Sequence, residues 1–568
     1  MLARDDALAA LAAQEFDVVV VGGGITGAGV ALDAATRGYS VALVERADYA
    51  SGTSSRSSKL IHGGLRYLQN FDLGLVREAL LERQLMVTLA PHLVRPLPLV
   101  VAAFDRPRPD RMVGVGLNLY DAMSLGGGRR RGRRTRLAAA TRGGEDAGAY
   151  WSPERHRVIS TAEVLDLLPA LHARPPSCGY LFYDCQADDV RLVLTVLGEA
   201  ERFGAVCANR LCVTSLLERD GRAVGVHVSD VETDSEFAVR ADTVINATGV
   251  WADQLRPEEL RDEAELPRIS PSRGTHITLR HEDLPLVGGA VVPAGGGRTI
   301  FALPWLGRTL IGTTDNDYDG ELAHVHASRD DVDYLLAATN AFFATDLGVG
   351  DLTGAFAGVR PLISTGDPRK SVDISRKAEL YETSSGMITI TGGKLTTWRA
   401  MARMTVDRLT ERESRDAPCR THEIPLGQAI EPAQLARVEG VPDGAYAPLA
   451  ARYGHAAHDV LSIAAERAAL AQPIVHDRPD LLAEVVLAAR REQARSVGDV
   501  LLRRTRLGIL AARELRADGD AARRVAEALG GELGWDRQRI AAELRLFELE
   551  TRAEGTLLGA PEPVPALT

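Results

Sequence analysis

The sequence predicts a multidomain α/β protein: a Rossmann-type, largely parallel sheet, a mixed or antiparallel sheet inserted into it, and a helical domain toward the C-terminus. Three observations carry this. Residues 16–45 read as strand, glycine turn, helix and strand within about thirty residues. The apolar stretches 241–248 (ADTVINAT) and 387–393 (MITITGG) also run into glycine, so distant segments supply further strands to the same sheet. From about Glu431 the composition shifts to Ala, Leu, Arg and Glu at helical spacing, with Ile540, Leu544 and Phe547 on one face.

A chain of 568 residues exceeds what one compact core accommodates, so two or three domains are expected. Apolar residues at 45% and charged residues at 25% are ordinary globular values. The net charge of -11 argues against nucleic acid as a partner, because neutralising phosphates needs a basic surface. Five cysteines with no CxxC pair suggest neither a disulfide framework nor a zinc site, which fits a reducing cytosol. Residues 1–15 carry Arg4, Asp5 and Asp6 where a secretory signal needs an apolar core, and read as a short leading helix or a tail. No apolar run approaches the length of a membrane span, so any membrane contact is expected to be peripheral.

In the first unit, Val18 to Val21 is a continuous β-branched run of the kind that fills a strand buried on both faces. It stops at three glycines. Gly22 permits the tight bend, Gly24 lets a pyrophosphate approach the backbone, and Gly27 lets the helix pack against the strand. Ile25 and Thr26 open a helix rich in small residues, whose N-terminus faces the phosphates, and Gly38 closes it. Glu45 ends the second strand eighteen residues after Gly27, where a carboxylate accepts hydrogen bonds from a ribose. Strand, helix and acid together make a dinucleotide site of what would otherwise be a weak glycine pattern. They do not choose between dinucleotides.

Residues 276–279, 299–304 and 309–313 read as strands joined by short turns such as Gly307-Arg308, giving the inserted sheet. The expected division is 1–95, 160–260 and 355–415 for the cofactor domain, 96–159 with 261–354 for the inserted domain, 425–555 for the helical domain and 556–568 for a disordered, proline-containing tail. Residues 126–136 (GGGRRRGRRTR) hold six arginines within eight residues and follow the apolar stretch 112–125. That segment reads either as a solvated loop or as an electrostatic contact with anionic headgroups beside an apolar wedge.

Residues 51–68 (SGTSSRSSKLIHGGLRYL) are dense in hydroxyls and then carry His62, Arg66 and Tyr67, a set suited to phosphate and to an anionic substrate, or equally to a polar surface loop. SSKLIHGGLRYL, the GGGITGAG turn, GTTD at 312–315, GVRPL at 358–362, GGKLTT at 392–397, FYDCQADDVRL at 182–192 and LLRRTRLG at 501–508 together resemble the quinone-linked, FAD-dependent glycerol-3-phosphate dehydrogenase family over nearly the whole chain. HGGLRYL with GGKLTT is far more specific than the glycine turn.

The resemblance implies a glutathione-reductase-like FAD domain, a mixed-sheet substrate domain and a C-terminal helical domain. It implies oxidation of sn-glycerol 3-phosphate at C2 to dihydroxyacetone phosphate by hydride transfer to flavin N5, with electrons passed to a membrane quinone. Carried over by position, Arg66 and Arg360 become a guanidinium clamp for substrate oxygens, and Tyr67 adds a hydroxyl. His62 becomes the group that takes the hydroxyl proton, or one that only positions the substrate. Lys394 lends positive charge to flavin or to the substrate phosphate. His276 either tunes the isoalloxazine or is a plain strand histidine. FAD itself is assigned to Gly22, Gly24, Ile25, Thr26, Gly27, Glu45, Arg46, Thr53, Ser54, Ser58, Lys59, Leu60, Val213, Thr248, Gly249, Trp251, His276, Lys394, Leu395 and Thr396. The expected location is cytoplasmic, at the inner face of the cell membrane, and a homodimer is left open.

An oxidase that uses oxygen and releases peroxide shares these motifs. A flavin-binding sensor or assembly protein without turnover is disfavoured by the intact set Arg66, Arg360 and Lys394.

Overall fold

The computed structural model describes residues 2–64, 72–105, 110–124, 154–255, 268–364, 378–516 and 519–556. Among these, eight strands form one sheet and ten form another. The Val18 to Val21 run lies in the strand Glu15–Val21 at the middle of the first sheet. It pairs in parallel with Glu236–Asn246 on one side and Val41–Val44 on the other, and Ile388–Gly392 and Val206–Ala208 extend the parallel array. The helix Ile25–Thr36 packs one face of this sheet together with Asp189–Arg202 and Trp398–Arg412, sharing a core with Ala31, Leu197 and Trp398. The helices approach closely because Gly29 lies under Trp398, where a Cβ would fall 2.6 Å from the indole. The leading segment is a helix, Arg4–Ala13, and covers the opposite face. Its Arg4 is buried and donates to Asn209 O at 3.1 Å and Asp230 Oδ1 at 2.7 Å.

The second sheet is mixed. Arg268–Arg280 is its long central strand, paired antiparallel with Leu352–Ser364 and Arg308–Gly312. Thr299–Trp305, Gly289–Pro293, Val94–Ala103, Cys178–Ala187 and Leu60–Ile61 follow in order, with one parallel pairing between Gly289–Pro293 and Val94–Ala103. The expected domain limits shift here. Residues 178–187 and 355–364, assigned to the cofactor domain, lie in strands of this second sheet, as do Leu60 and Ile61. A buried apolar strand reads alike whichever sheet receives it.

The C-terminal domain has its own core, built by Tyr446–Tyr453, Ala457–Glu466, Leu482–Arg491, Asp520–Leu533 and Arg537–Glu554. Phe547 is buried in that core, and Ile540 and Leu544 pack against it. Thr556, assigned to the tail, is buried and its carbonyl accepts from Ala355 N at 3.2 Å; 557–568 lie outside the described residues. Among the described residues, no helix is long and apolar enough to cross a membrane.

Candidate cofactor and substrate site

The glycine turn has the geometry its three glycines require. Gly22 sits at φ 112°, and a Cβ there would lie 2.7 Å from Ala247 O. A Cβ on Gly27 would lie 1.9 Å from Gly22 O, so the helix leaves the strand at a distance only glycine allows. Gly24 is the N-cap of Ile25–Thr36, and a Cβ there would lie 3.1 Å from Ser54 Oγ, close enough that the hydroxyl would have to give way. Ser54 Oγ accepts from Ile25 N at 3.0 Å and so caps the helix from a distant loop. The remaining amides at this end meet a cavity of about 1230 Å³.

Gly22, Gly24, Ile25 and Thr26 line that cavity, as do Glu45 and Arg46 at the end of the second strand. Glu45 does more than wait for a ribose. Its Oε2 accepts from Gly23 N at 2.7 Å and its Oε1 from Ala47 N at 2.8 Å, which braces the glycine turn against the loop after the strand. Burial raises its pKa, and the two amide donors oppose that rise. Thr53, Ser54, Val213, Thr248, Gly249 and Trp251 complete the wall from three other segments, and Arg46 lies over the Trp251 ring at 4.4 Å. Lys394 and Leu395 close it from the turn after Ile388–Gly392.

Other expected contacts are placed differently. The Lys59 side chain turns away from the cavity: fully buried, its ammonium donates to Ser55 O at 2.6 Å and Asp189 Oδ2 at 2.7 Å. Burial lowers its pKa to about 8 against the pull of Asp189. A charge this deep is tolerated only because it is paired. Leu60 starts the short strand in the second sheet and is buried. Ser58 Oγ lies 2.9 Å from His276 Nε2, and His276 is buried and stacked on Phe356 at 4.8 Å. Neither Ser58 nor His276 lines the cavity, and Gly27 is covered by the turn itself. Burial, then Lys59 and Arg360, hold His276 well below the usual histidine range, so the ring is neutral.

The residues expected to meet the substrate come from separate segments. The His62 amide donates to Thr396 Oγ1 at 3.1 Å, which ties it to the turn carrying Lys394 and Leu395. Arg360 lies across the second sheet, with Nη1 3.1 Å from Asp315 Oδ1 and Nη2 3.2 Å from Thr313 Oγ1. Its fork fits there because Gly274 has no side chain: a Cβ would sit 2.5 Å from Arg360 Nη2. Val359 O accepts from Thr53 Oγ1 at 2.6 Å, and Pro361 lines the cavity, so this strand borders the cofactor wall on both sides of Arg360. Arg66, Tyr67 and the arginine run 126–136 lie outside the described residues.

Residue-by-residue reading missed the acids and arginines that hold the loops around the cavity, namely Asp48, Asp188, Asp189, Arg503, Arg504 and Arg506. For Asp188, Asp189 and the three arginines the sequence signal is that FYDCQADDVRL and LLRRTRLG keep charges among apolar residues, and Asp48 lies in neither stretch.

Residues 17–408 match the family of FAD dependent oxidoreductases, and residues 419–540 match the C-terminal domain of alpha-glycerophosphate oxidase. The chain therefore belongs to the FAD-dependent oxidoreductases. It is 36% identical over 566 residues to glycerol-3-phosphate dehydrogenase 2 of Mycobacterium tuberculosis, covering 98% of this chain and 91% of that protein. The mitochondrial glycerol-3-phosphate dehydrogenase of Rattus norvegicus is 36% identical over 556 residues, 93% of this chain and 72% of that one. The solved glycerol-3-phosphate dehydrogenase from Bacillus halodurans complexed with FAD superposes with a TM-score of 0.76 at 28% identity, over 98% of this chain and 99% of that chain. Within the oxidoreductases, the protein is a member of the glycerol-3-phosphate dehydrogenase family.

Its cofactor is FAD, and the residues present fit it. Gly24 leaves a gap at a helix N-terminus that any Cβ would fill, and the elongated cavity runs from there past Glu45 to Lys394. The turn amides would hold the pyrophosphate, and the wall at Arg46, Val213 and Trp251 suits the adenosine half.

Proposed function

We propose that this protein oxidises sn-glycerol 3-phosphate at C2 to dihydroxyacetone phosphate on FAD, and that the electrons pass to a membrane quinone. FAD, when bound, accepts the hydride released from C2. The reading is supported by the His62–Thr396 hydrogen bond, which ties the main chain at His62 to the turn whose Lys394 and Leu395 line the cavity, although the two segments lie far apart in sequence. His62 takes the C2 hydroxyl proton as the hydride departs, so the alcohol loses one proton and one hydride and becomes a ketone. Arg360 holds substrate oxygens with its planar fork, exchanging part of its pairing with Asp315 for an anion of greater charge. Lys394 adds positive charge at the same wall. Arg66 and Tyr67 complete the clamp by their position in HGGLRYL.

The membrane part of the reading is supported by the helix at 111–124, which exposes Met112, Val115 and Leu119 along one side just before the arginine run. The protein then sits at the inner face of the cell membrane. Oxygen as acceptor is the second reading, favoured by the match of residues 419–540 to an oxidase domain. Anaerobic addition of glycerol 3-phosphate should bleach the yellow flavin spectrum. Quinone should then restore it rapidly, with little peroxide formed when oxygen is admitted instead. Stoichiometric peroxide would make the protein an oxidase, and no bleaching would remove the substrate assignment.

A further inference from the structure

The C-terminal helical domain reaches the loops of the FAD site through arginines that pair both within that domain and across to the cofactor domain. Asp499–Arg504 is a π-helix, and Arg506 follows it at φ 65°. Val500, Leu501 and Leu502 stay in the helical core, whereas the arginines beside them pair on both sides, Arg503 with Asp499 and Glu550 as well as with the cofactor domain. Arg503 Nε donates to Asp48 Oδ2 at 2.6 Å, and Arg504 pairs with the same carboxylate. Arg506 pairs with Asp188 at 3.0 Å and with Asp189, and its Nη1 donates to Ser55 O at 3.3 Å. Asp48 is 1% exposed and Asp189 is 0% exposed.

Two of these acceptors, Asp48 and Ser55 O, belong to loops that shape the cavity, and Asp188 and Asp189 open the helix Asp189–Arg202. Asp48 sits in the loop that leaves Glu45 and returns to the glycine turn through Ala50 N to Gly23 O at 3.1 Å. Ser55 ends the turn Thr53–Ser55, whose Thr53 and Ser54 line the cavity and whose Ser54 caps the FAD helix. A buried carboxylate is tolerated when it is paired, and here Arg503 and Arg504 face Asp48 while Arg506 joins Lys59 at Asp189. The C-terminal arginines thus brace both loops in their cavity-lining form.

We propose that the C-terminal domain is the clasp of the FAD site, with Arg506 and the Arg503–Asp48–Arg504 cluster as its positioning residues. This rests on the FAD assignment and not on the substrate, so it stands or falls separately from the proposed reaction.

The test is FAD affinity of the full chain, read by quenching of flavin fluorescence on titrating apoprotein and by the visible circular dichroism of the bound flavin. Arg506→Lys keeps the charge opposite Asp188 and Asp189 and removes the fork that reaches Ser55 O. FAD should bind about tenfold more weakly, as for one lost hydrogen bond from a charged donor, with an altered flavin dichroism. Arg452→Lys is the control, since Arg452 is buried against Asp480 and Glu484 inside the helical core. It should lower stability while leaving FAD affinity and dichroism as in the parent. Asp48→Asn provides the second variant and should also weaken FAD binding. A clasp role is overturned if Arg506→Lys and Asp48→Asn both bind FAD within about threefold of the parent, or if Arg452→Lys weakens FAD as much as they do.

Discussion

The backbone amide of His62 donates to Thr396 Oγ1 at 3.1 Å, joining residues 334 positions apart. This bond fixes the main chain at His62 to the turn that carries Lys394 and Leu395 and does not involve the imidazole. Replacing the ring leaves that bond in place and should spare FAD binding while striking the chemistry. In His62→Ala the rate of anaerobic flavin reduction by glycerol 3-phosphate should fall roughly 10²–10⁴-fold, the usual range for losing a general base. The flavin spectrum before substrate should match the parent. An unchanged reduction rate would rule out proton transfer by His62.

Arg360 is held in place by Asp315, Thr313 and the gap at Gly274, so its fork is oriented before any substrate arrives. A charge-assisted pair to substrate is worth about 1.5–3 kcal/mol, or roughly 10- to 150-fold. Arg360→Ala should raise KM for glycerol 3-phosphate by that order. Arg360→Lys should recover only part of it, because one ammonium cannot replace the planar fork. A KM equal to the parent's in both variants would place the anion elsewhere.

Two glycines of the same turn should fail in different ways. In Gly27→Ala the new methyl meets Gly22 O at 1.9 Å, and the helix and strand must separate. That overpacking should destabilise the apoprotein by about 1–3 kcal/mol or more, visible as a lower Tm. In Gly24→Ala the methyl enters the cavity beside Ser54 Oγ and clashes with no backbone. Its apoprotein should melt close to the parent while FAD affinity drops. Equal losses of Tm in the two apoproteins would contradict this division.

The contrast shows what a sequence can carry. Gly22, Gly24 and Gly27 were legible because each answers a local demand, a bend, an approach and a close packing, within six residues. The second sheet was legible as strands but not in its limits, because nothing local tells Cys178–Ala187 that its partner is Val94–Ala103. Lys59 was misplaced for a related reason. In a stretch of serines it looks like a cofactor ligand, and only the fold brings Asp189 beneath it. Arg506 and Asp189 are 317 residues apart, and neither is unusual until they meet.

His276 offers a test of the environment behind the site. Its Nε2 meets Ser58 Oγ, its ring stacks on Phe356, and Lys59 and Arg360 are the cations that act on it. Burial together with those two charges depresses its pKa well below 6.5, so the folded protein keeps the ring neutral where the unfolded chain protonates it. Below about pH 6.5 the unfolded state therefore binds more protons than the folded one, and stability falls as the pH falls. The stabilising contribution is fully present above the unfolded pKa and is lost on acidification by at most about 1.4 kcal/mol per pH unit. His276→Gln removes this group from the balance. Between pH 7 and pH 5.5 the parent should lose about 1 kcal/mol more unfolding free energy in urea than the variant does. If parent and variant lose the same amount, His276 already takes a proton in the folded protein, and the neutral, cation-flanked ring described here is wrong.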